Sequence, residues 1–324
     1  MAAKLDGTGV TYQQLSDLEH DFDDVETEII RQQVRLTEPL YEKRRELVSQ
    51  IPGFWNLVIE QAPSDIDEWI QPSDSAVLLS SLTSLSVSHF EVEGGAQGDP
   101  RSVAIRWEFA ENDFFEDRVL EKKFWYRHSK NGSSGLVSEP VNIKWKEGKD
   151  LTEGLLSLAK AVWDEDQAQG TIQTKKKRKD LTATQKALEE KIDSIGLGGV
   201  SFFAWFGFRG DPVTAEESRT AVQEQKDRRH RRKNGEDVES PAREEEEEDE
   251  EEDVDLEIFP YGAQVAMAIA DDLWPGAIKY FTQAQEEDEM SDVDFESNQS
   301  SGSSLADEGL SDDEAERPSK KRKA

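Results

Sequence analysis

Four histidines, 71 acidic side chains and no cysteine are the reactive groups of this 324-residue chain. Acid–base or metal chemistry needs such groups to converge, yet His20, His89, His128 and His230 fall on different stretches without ligand spacing. His89 reads as a strand residue rather than a base. The lack of cysteine excludes disulfides, thiolate nucleophiles and cysteine-ligated zinc. Gly196-Leu-Gly198-Gly199 has the composition of a phosphate loop, but no strand precedes it and no Lys-Ser/Thr follows, so it reads as a connector. No catalytic residue, metal or cofactor is expected, and the chain is not read as an enzyme.

What remains is charge. The formal net charge is −32, with 34% charged against 35% hydrophobic residues. It is concentrated: Glu244–Glu257 holds 12 acids and no base, and residues 283–324 hold 13 acids against 5 bases. Such pieces bury too little apolar surface to offset their ordering entropy, so both are expected to be disordered. A chain this acidic repels nucleic acid and attracts basic partners, whether histones, polyamines or basic peptides. The same charge would also serve solubility alone. The first residues lack the apolar core of a secretory signal and no apolar run approaches spanning length, which predicts a soluble intracellular protein.

The elements that must position this charge begin at Thr11, which with Gln14 forms a capping box. Leu15, Phe22, Ile29 and Leu36 follow in one heptad position and Leu18 and Val25 in the other; Leu40 and Leu47 resume the stripe beyond Pro39, where a kink is expected. A helix over residues 11–51 would span about 60 Å. So long an apolar stripe needs a partner helix, or else packs back on the rest of the chain. Short helices punctuated by Pro52, Pro63 and Pro72 lead to a change of period. Leu82–Val92, Val103–Phe109, Val119–Tyr126 and Val141–Trp145 read as a four-stranded antiparallel meander. Helix returns at Leu151–Trp163 with Asp150 as cap, followed by a short charged helix at Leu181–Ile192. Trp107, Trp125, Trp145, Phe202, Phe203 and Trp205 are assigned to the core. The expected organisation is a disordered N-terminus (1–10), the long helix (11–51), an α+β lobe (52–282) and a disordered acidic tail (283–324). Two charged disordered insertions are expected within the lobe, near 166–180 and 218–256.

Two compact basic runs read as nuclear-import signals or as solvated charge: Lys175, Lys176, Lys177, Arg178 and Lys179, then Lys320, Lys321, Arg322 and Lys323. A third, Arg228–Lys233, is expected to pair with the acidic tract beside it rather than with DNA. Ser291, Ser304 and Ser311 precede acids in the manner of acid-directed kinase acceptors.

Five ordered blocks carry a resemblance. They are Leu36-Thr-Glu-Pro39-Leu40 through Ile51-Pro52-Gly-Phe54-Trp55; Phe109 to Val119; Ile143 to Thr152; Ser201-Phe-Phe-Ala-Trp205-Phe206; and Asp271-Asp-Leu-Trp-Pro275. In this order, with an acidic tail after them, they resemble the SET branch of the nucleosome assembly protein family. The resemblance implies an antiparallel homodimer through the long helices, with Leu15, Leu18, Phe22, Val25, Ile29, Leu36, Leu40 and Leu47 as the seam. It also implies a lobe with a four-stranded sheet backed by helices, whose concave acidic underside receives core histones, H2A–H2B or H3–H4, without ATP. The implied histone contacts are Glu111, Asp113, Glu116 and Asp117 at a strand turn, and Asp211, Glu216 and Glu217 below the sheet. Asp271, Asp272 and the tract holding Glu244, Glu248 and Asp253 complete them. Nuclear residence, with shuttling to the cytoplasm, is expected from the two basic runs. The sequence departs from the family in its long insertion before Asp271. Ala204 and Gly207 also stand where SET-type members carry threonine. A regulatory inhibitor masking a phosphatase or histone acetyltransferase is the alternative function; a coiled-coil scaffold with charged tails is a third.

Overall fold

Thr11 opens the longest helix for a local reason. Its hydroxyl accepts from the Gln14 amide (3.2 Å) while the Gln14 side chain accepts from the Thr11 amide (2.9 Å), so two orphan donors are satisfied at once. From there α1 runs through Pro39 without a break, from Tyr12 to Val48. This is a computed structural model, and it describes residues 8, 10–170, 175–196, 199–234, 236 and 253–287.

After α1 come α2 (Phe54–Glu60), α3 (Ser64–Asp67) and α4 (Pro72–Ser81). The sheet is a meander in the order β1 (Leu82–Ser88), β2 (Val103–Phe109), β3 (Val119–His128) and β4 (Ser134–Ser138), antiparallel throughout. Next are α5 (Leu155–Gln169), β5 (Lys175–Lys177), α6 (Ala183–Ile195), a 3-10 segment Phe202–Gly207, α7 (Ala215–Lys233), β6 (Asp253–Asp255), α8 (Gly262–Ala268) and α9 (277–287). Phe202–Gly207 is buried throughout and lies against the sheet. Trp205 meets Trp107 edge-on (6.4 Å) and Phe124 tilted (5.2 Å), while Phe203 meets Phe115 and Trp145. Trp125 and Trp145, assigned to the core by sequence, are only half-buried.

Several expectations are corrected. The fourth strand is Ser134–Ser138 rather than Val141–Trp145. The Val141 amide donates to Phe206 instead (2.8 Å) and Trp145 only bridges to Phe115; that segment alternates because Ile143 and Trp145 pack on aromatics. Helix α5 begins at Leu155, not Leu151, because Glu153 and Gly154 hold positive φ (51° and 88°) that no α-helix admits. Asp150 instead caps the turn, accepting from the Thr152 and Gly154 amides.

Neither charged insertion is unstructured where it is described. In the first, Asp166 is wholly buried in α5 and accepts from Lys176 Nζ (2.6 Å) and Gln185 (3.1 Å), with the Arg209 guanidinium at 3.9 Å. Lys175–Lys177 pair antiparallel with Asp253–Asp255, closing a small sheet. In the second, Ala215–Lys233 form α7, capped by Thr214. Its basic end pairs with α1 rather than only with neighbouring sequence: Arg232 with Asp17 (3.0 Å), Arg229 with Asp24 (2.9 Å) and Asp21 (3.3 Å), and Lys233 with Asp21 (3.0 Å). Lys233 holds the Asp21 carboxyl below its usual range.

These contacts give α1 two unlike faces. Gln13, Asp17, His20, Thr27, Arg31, Val34, Tyr41, Arg44 and Val48 lie half-buried or buried against the lobe. Offset by two residues, about 200° around the helix, Leu15, Leu18, Phe22, Val25, Ile29, Leu36, Leu40 and Leu47 point away from it. All eight are exposed, from 47% at Leu15 to 69% at Leu36.

Candidate acidic interface

The expected carboxylates start at the β2–β3 turn. Asn112 accepts from the Phe114 and Phe115 amides (2.9 and 3.0 Å), and buried Phe115 pins the turn to Phe109, Trp145 and Phe203. The turn therefore holds its acids on a fixed frame. Asp113 and Glu116 are exposed and, among the described residues, form no ion pair. Glu111 reaches Arg118 (3.3 Å). Asp117 has a structural task, accepting from the Lys144 amide (2.7 Å), which ties the 141–145 segment to the turn.

Glu216 and Glu217 stand elsewhere. They open α7, where the His128 amide at the far end of β3 donates to Ser218 (2.9 Å). Ten residues of β3 separate that end from the β2–β3 turn, about 30 Å of strand. Glu217 closes the capping box of α7, and the Thr214 amide and hydroxyl hold its carboxyl below the usual range. Glu216 is exposed. Asp211, also exposed, follows Gly210, whose positive φ (70°) and close approach to the Leu136 carbonyl leave no room for a side chain.

Asp271 and Asp272 occupy a third place. Helix α8 widens into one π-turn at Ile269–Leu273, and both acids stand exposed on it. Asp272 accepts from the Tyr280 hydroxyl (2.9 Å); desolvation raises the Asp271 carboxyl, opposed by His89. The acids of the β2–β3 turn and those that open α7 thus stand at opposite ends of β3. Asp253 lies in β6, opposite Lys177. Glu244, Glu248, the acid-directed serines and Lys320–Lys323 lie outside the described residues.

In the basic run Lys175–Lys179, Lys177, Arg178 and Lys179 are exposed, but two members are engaged within the lobe. Lys176 is committed to buried Asp166, and Arg178 pairs with Glu189 (2.7 Å). Nor do the histidines converge. His20 meets Gln225 (2.9 Å), His89 lies 2.6 Å from the Pro100 carbonyl, His128 is 3.9 Å from Asp99, and His230 is 3.2 Å from Asn234. Among the described residues no group of acids or histidines is placed to hold a metal ion, and no helix is long and apolar enough to cross a membrane.

Sequence reasoning missed Lys122, which is wholly buried in β3. Its ammonium donates to the carbonyls of Glu139, Phe206 and Phe208 (2.9, 3.0 and 2.9 Å), fastening the 3-10 segment and the end of β4 to the sheet. Burial pulls it down to about 7, with Glu257 and Glu139 opposing. Glu257 in turn accepts from the Arg209 and Gly210 amides, so buried charge sets the loop that carries Asp211. A strand lysine among aromatics gives no signal in sequence, because Glu121-Lys122-Lys123 reads as solvated.

Similarity to known proteins points one way. A nucleosome assembly protein of Schizosaccharomyces pombe is 35% identical over 150 residues, covering 43% of this chain and 59% of that protein. Protein SET of Drosophila melanogaster is 31% identical over 185 residues, covering 56% of this chain and 55% of its own length. The chain thus matches a little over half the length of these relatives. The crystal structure of Vps75 superposes with a TM-score of 0.51 at 20% identity, over 85% of this chain and 98% of the other, and shows the same fold. The family model for nucleosome assembly proteins matches residues 48–284, which leaves out most of α1 and the last residues of α9 but takes in the rest of the lobe, and the chain belongs to that family.

Proposed function

We propose that this protein is a histone chaperone that holds core histones on carboxylates of the lobe and passes them to DNA without ATP. Family membership carries the reading. The arrangement of charge supports it: Asp113, Glu116, Asp211 and Glu216 are exposed, and among the described residues none of them forms an ion pair. Carboxylates fixed by Phe115 and by the α7 cap meet lysine and arginine at contact distance without first being ordered, which favours slow dissociation. The net charge of −32 raises the rate of encounter with a basic partner. Because the acids sit in separate places, the cargo is gripped at more than one point of the lobe. Two chains act together through the outward stripe of α1, where a second copy covers eight exposed apolar residues. Nuclear entry is assigned to Lys320–Lys323, since the other basic run is tied into the lobe.

Stopped-flow binding of H2A–H2B and of H3–H4 at several salt concentrations tests this. Neutralising Asp113 and Glu116, or separately Asp211 and Glu216, is expected to speed dissociation about tenfold each, with association little changed. Unaltered dissociation in both variants would move the binding site off the lobe. Failure of the parent chain to bind either histone pair would sink the reading.

A further inference from the structure

The two edges of the four-stranded sheet are finished differently. At β4 the Ser138 amide donates to the Arg209 carbonyl (2.7 Å), and Gly210 lies close against the Leu136 carbonyl. At the other edge β1 pairs with β2 alone. Among the described residues no hydrogen bond from another element reaches its outward backbone. Leu82–Ser88 also contains neither charge nor proline, the usual devices that keep an edge strand from taking a further strand.

A cleft of about 530 Å³ runs along this edge, between β1 and the stretch of α1 from Arg31 to Ser49. That volume is within the ~300–1,000 Å³ of sites that enclose ligands. At one end Arg31 reaches the Gly98 carbonyl (3.0 Å) beside the 92–97 turn; at the other Arg44 lies over the rings of Tyr41 and Trp274 (4.7 and 4.6 Å). The second terminal nitrogen of Arg31 is buried and, among the described residues, has no acceptor. Arg35, one turn on, is exposed and forms no ion pair among them. Arg31 also pairs with Glu28 (3.5 Å) and Glu42 is committed to Arg45, while Glu38 and Glu93 line the cleft too, so the uncommitted positive charge at this end is that of Arg35.

We propose that this cleft docks an extended acidic segment of a partner protein, which adds to β1 as a fifth strand and brings carboxylates to Arg31 and Arg35. Main-chain bonds to a free edge supply affinity, and alternate side chains supply selectivity. An acid is selected because a guanidinium nitrogen left buried without an acceptor is costly, and a carboxylate satisfies it with a charge-assisted bond. Apolar side chains at the intervening positions meet Val34 and Tyr41. The outward stripe of α1 is on the opposite face of the helix, so pairing of two copies leaves the cleft open. The inference does not depend on histone binding.

The test uses the full chain and a fluorescein-labelled peptide whose sequence does not occur in it, Gly-Thr-Glu-Val-Glu-Ile-Glu-Thr-Gly, followed by anisotropy and by amide exchange of residues 82–88. Saturable binding is expected, with exchange along β1 slowed on the order of tenfold at saturation. Arg35→Glu, at an exposed position that leaves the fold intact, is expected to weaken binding about tenfold. The same peptide with lysine for each acid should not bind. Unchanged β1 exchange at saturation, or a silent Arg35→Glu, overturns the proposal. So does binding that emerges only after Asp292→Asn, Asp294→Asn and Glu296→Gln, which would make the occupant the chain's own tail. Protection of β1 that tracks protein concentration without peptide would make it a second copy.

Discussion

Inside the lobe, Trp205 is wholly buried among Trp107, Phe124, Phe202 and Phe206, and its indole donates to the Gly262 carbonyl (2.9 Å). Where the N-terminal half of α1 meets the lobe, Arg101, Arg229 and Arg232 reach across to Asp17, Asp21, Asp23 and Asp24. The first region is held by removal of apolar surface from water, which is non-directional and insensitive to salt. The second is held by ion pairs in which Arg229 is buried while its partners Asp21 and Asp24 stay largely in solvent, so the pairs are individually weak and screened. The difference shows on α1 itself. Its N-terminal half is attached through charge and its C-terminal half through Tyr41, Arg44 and Val48, and along both halves the outward apolar residues stay exposed.

The largest effect should come from the interior. Trp205→Ala is expected to cost about 3–5 kcal/mol, read as a lowered midpoint in chemical denaturation. A cost below about 1 kcal/mol would mean the aromatic layer is not what fixes the sheet. Next is the outward stripe. Phe22→Glu with Ile29→Glu should turn a dimer into monomer in light scattering at an unchanged lobe unfolding temperature, each residue contributing about 1.5–3 kcal/mol of burial. If the dimer persists, the seam is elsewhere. The smallest effect belongs to the charged contact. Arg229→Ala with Arg232→Ala should leave global stability almost unchanged while amide exchange in α7 accelerates, and added salt should reproduce that acceleration in the parent chain. Should the double variant unfold the lobe, the contrast between the two regions does not hold.

The parts legible in sequence were those written in a repeat or a local rule. The Thr11–Gln14 box, the heptad stripe from Leu15 to Leu47 and three of the four strands all follow from period and capping. Strand β4 escaped because Ser134-Gly-Leu-Val-Ser138 has little β-propensity of its own and is held by its register on Phe124–His128. Helix α7 escaped for a related reason. Nearly all its residues are polar, so no apolar period marks it, and its contacts are made through Ser218, Ala221, Arg229 and Arg232 to elements far off in the chain. Asp113, Glu116, Asp211 and Glu216, expected from sequence to be histone contacts, are exposed. Their separation along β3 was not visible, because composition carries no distance. Glu217 and Asp117 show the converse: a carboxylate in an acidic stretch can be spent on a cap or a strand tie.

The small sheet of Lys175–Lys177 with Asp253–Asp255 joins two stretches far apart in sequence. Lys176, in its middle, grips the buried Asp166 carboxylate, and the Leu256 carbonyl just beyond β6 accepts from the Arg209 side chain (2.8 Å). Arg209 in turn lies 3.9 Å from the same carboxylate. One buried acid therefore closes a long loop of chain, and the entropy of closing such a loop grows only with the logarithm of its length. Sequence can be added inside that loop at little thermodynamic cost, whereas a change at Asp166 loosens both of its ends together.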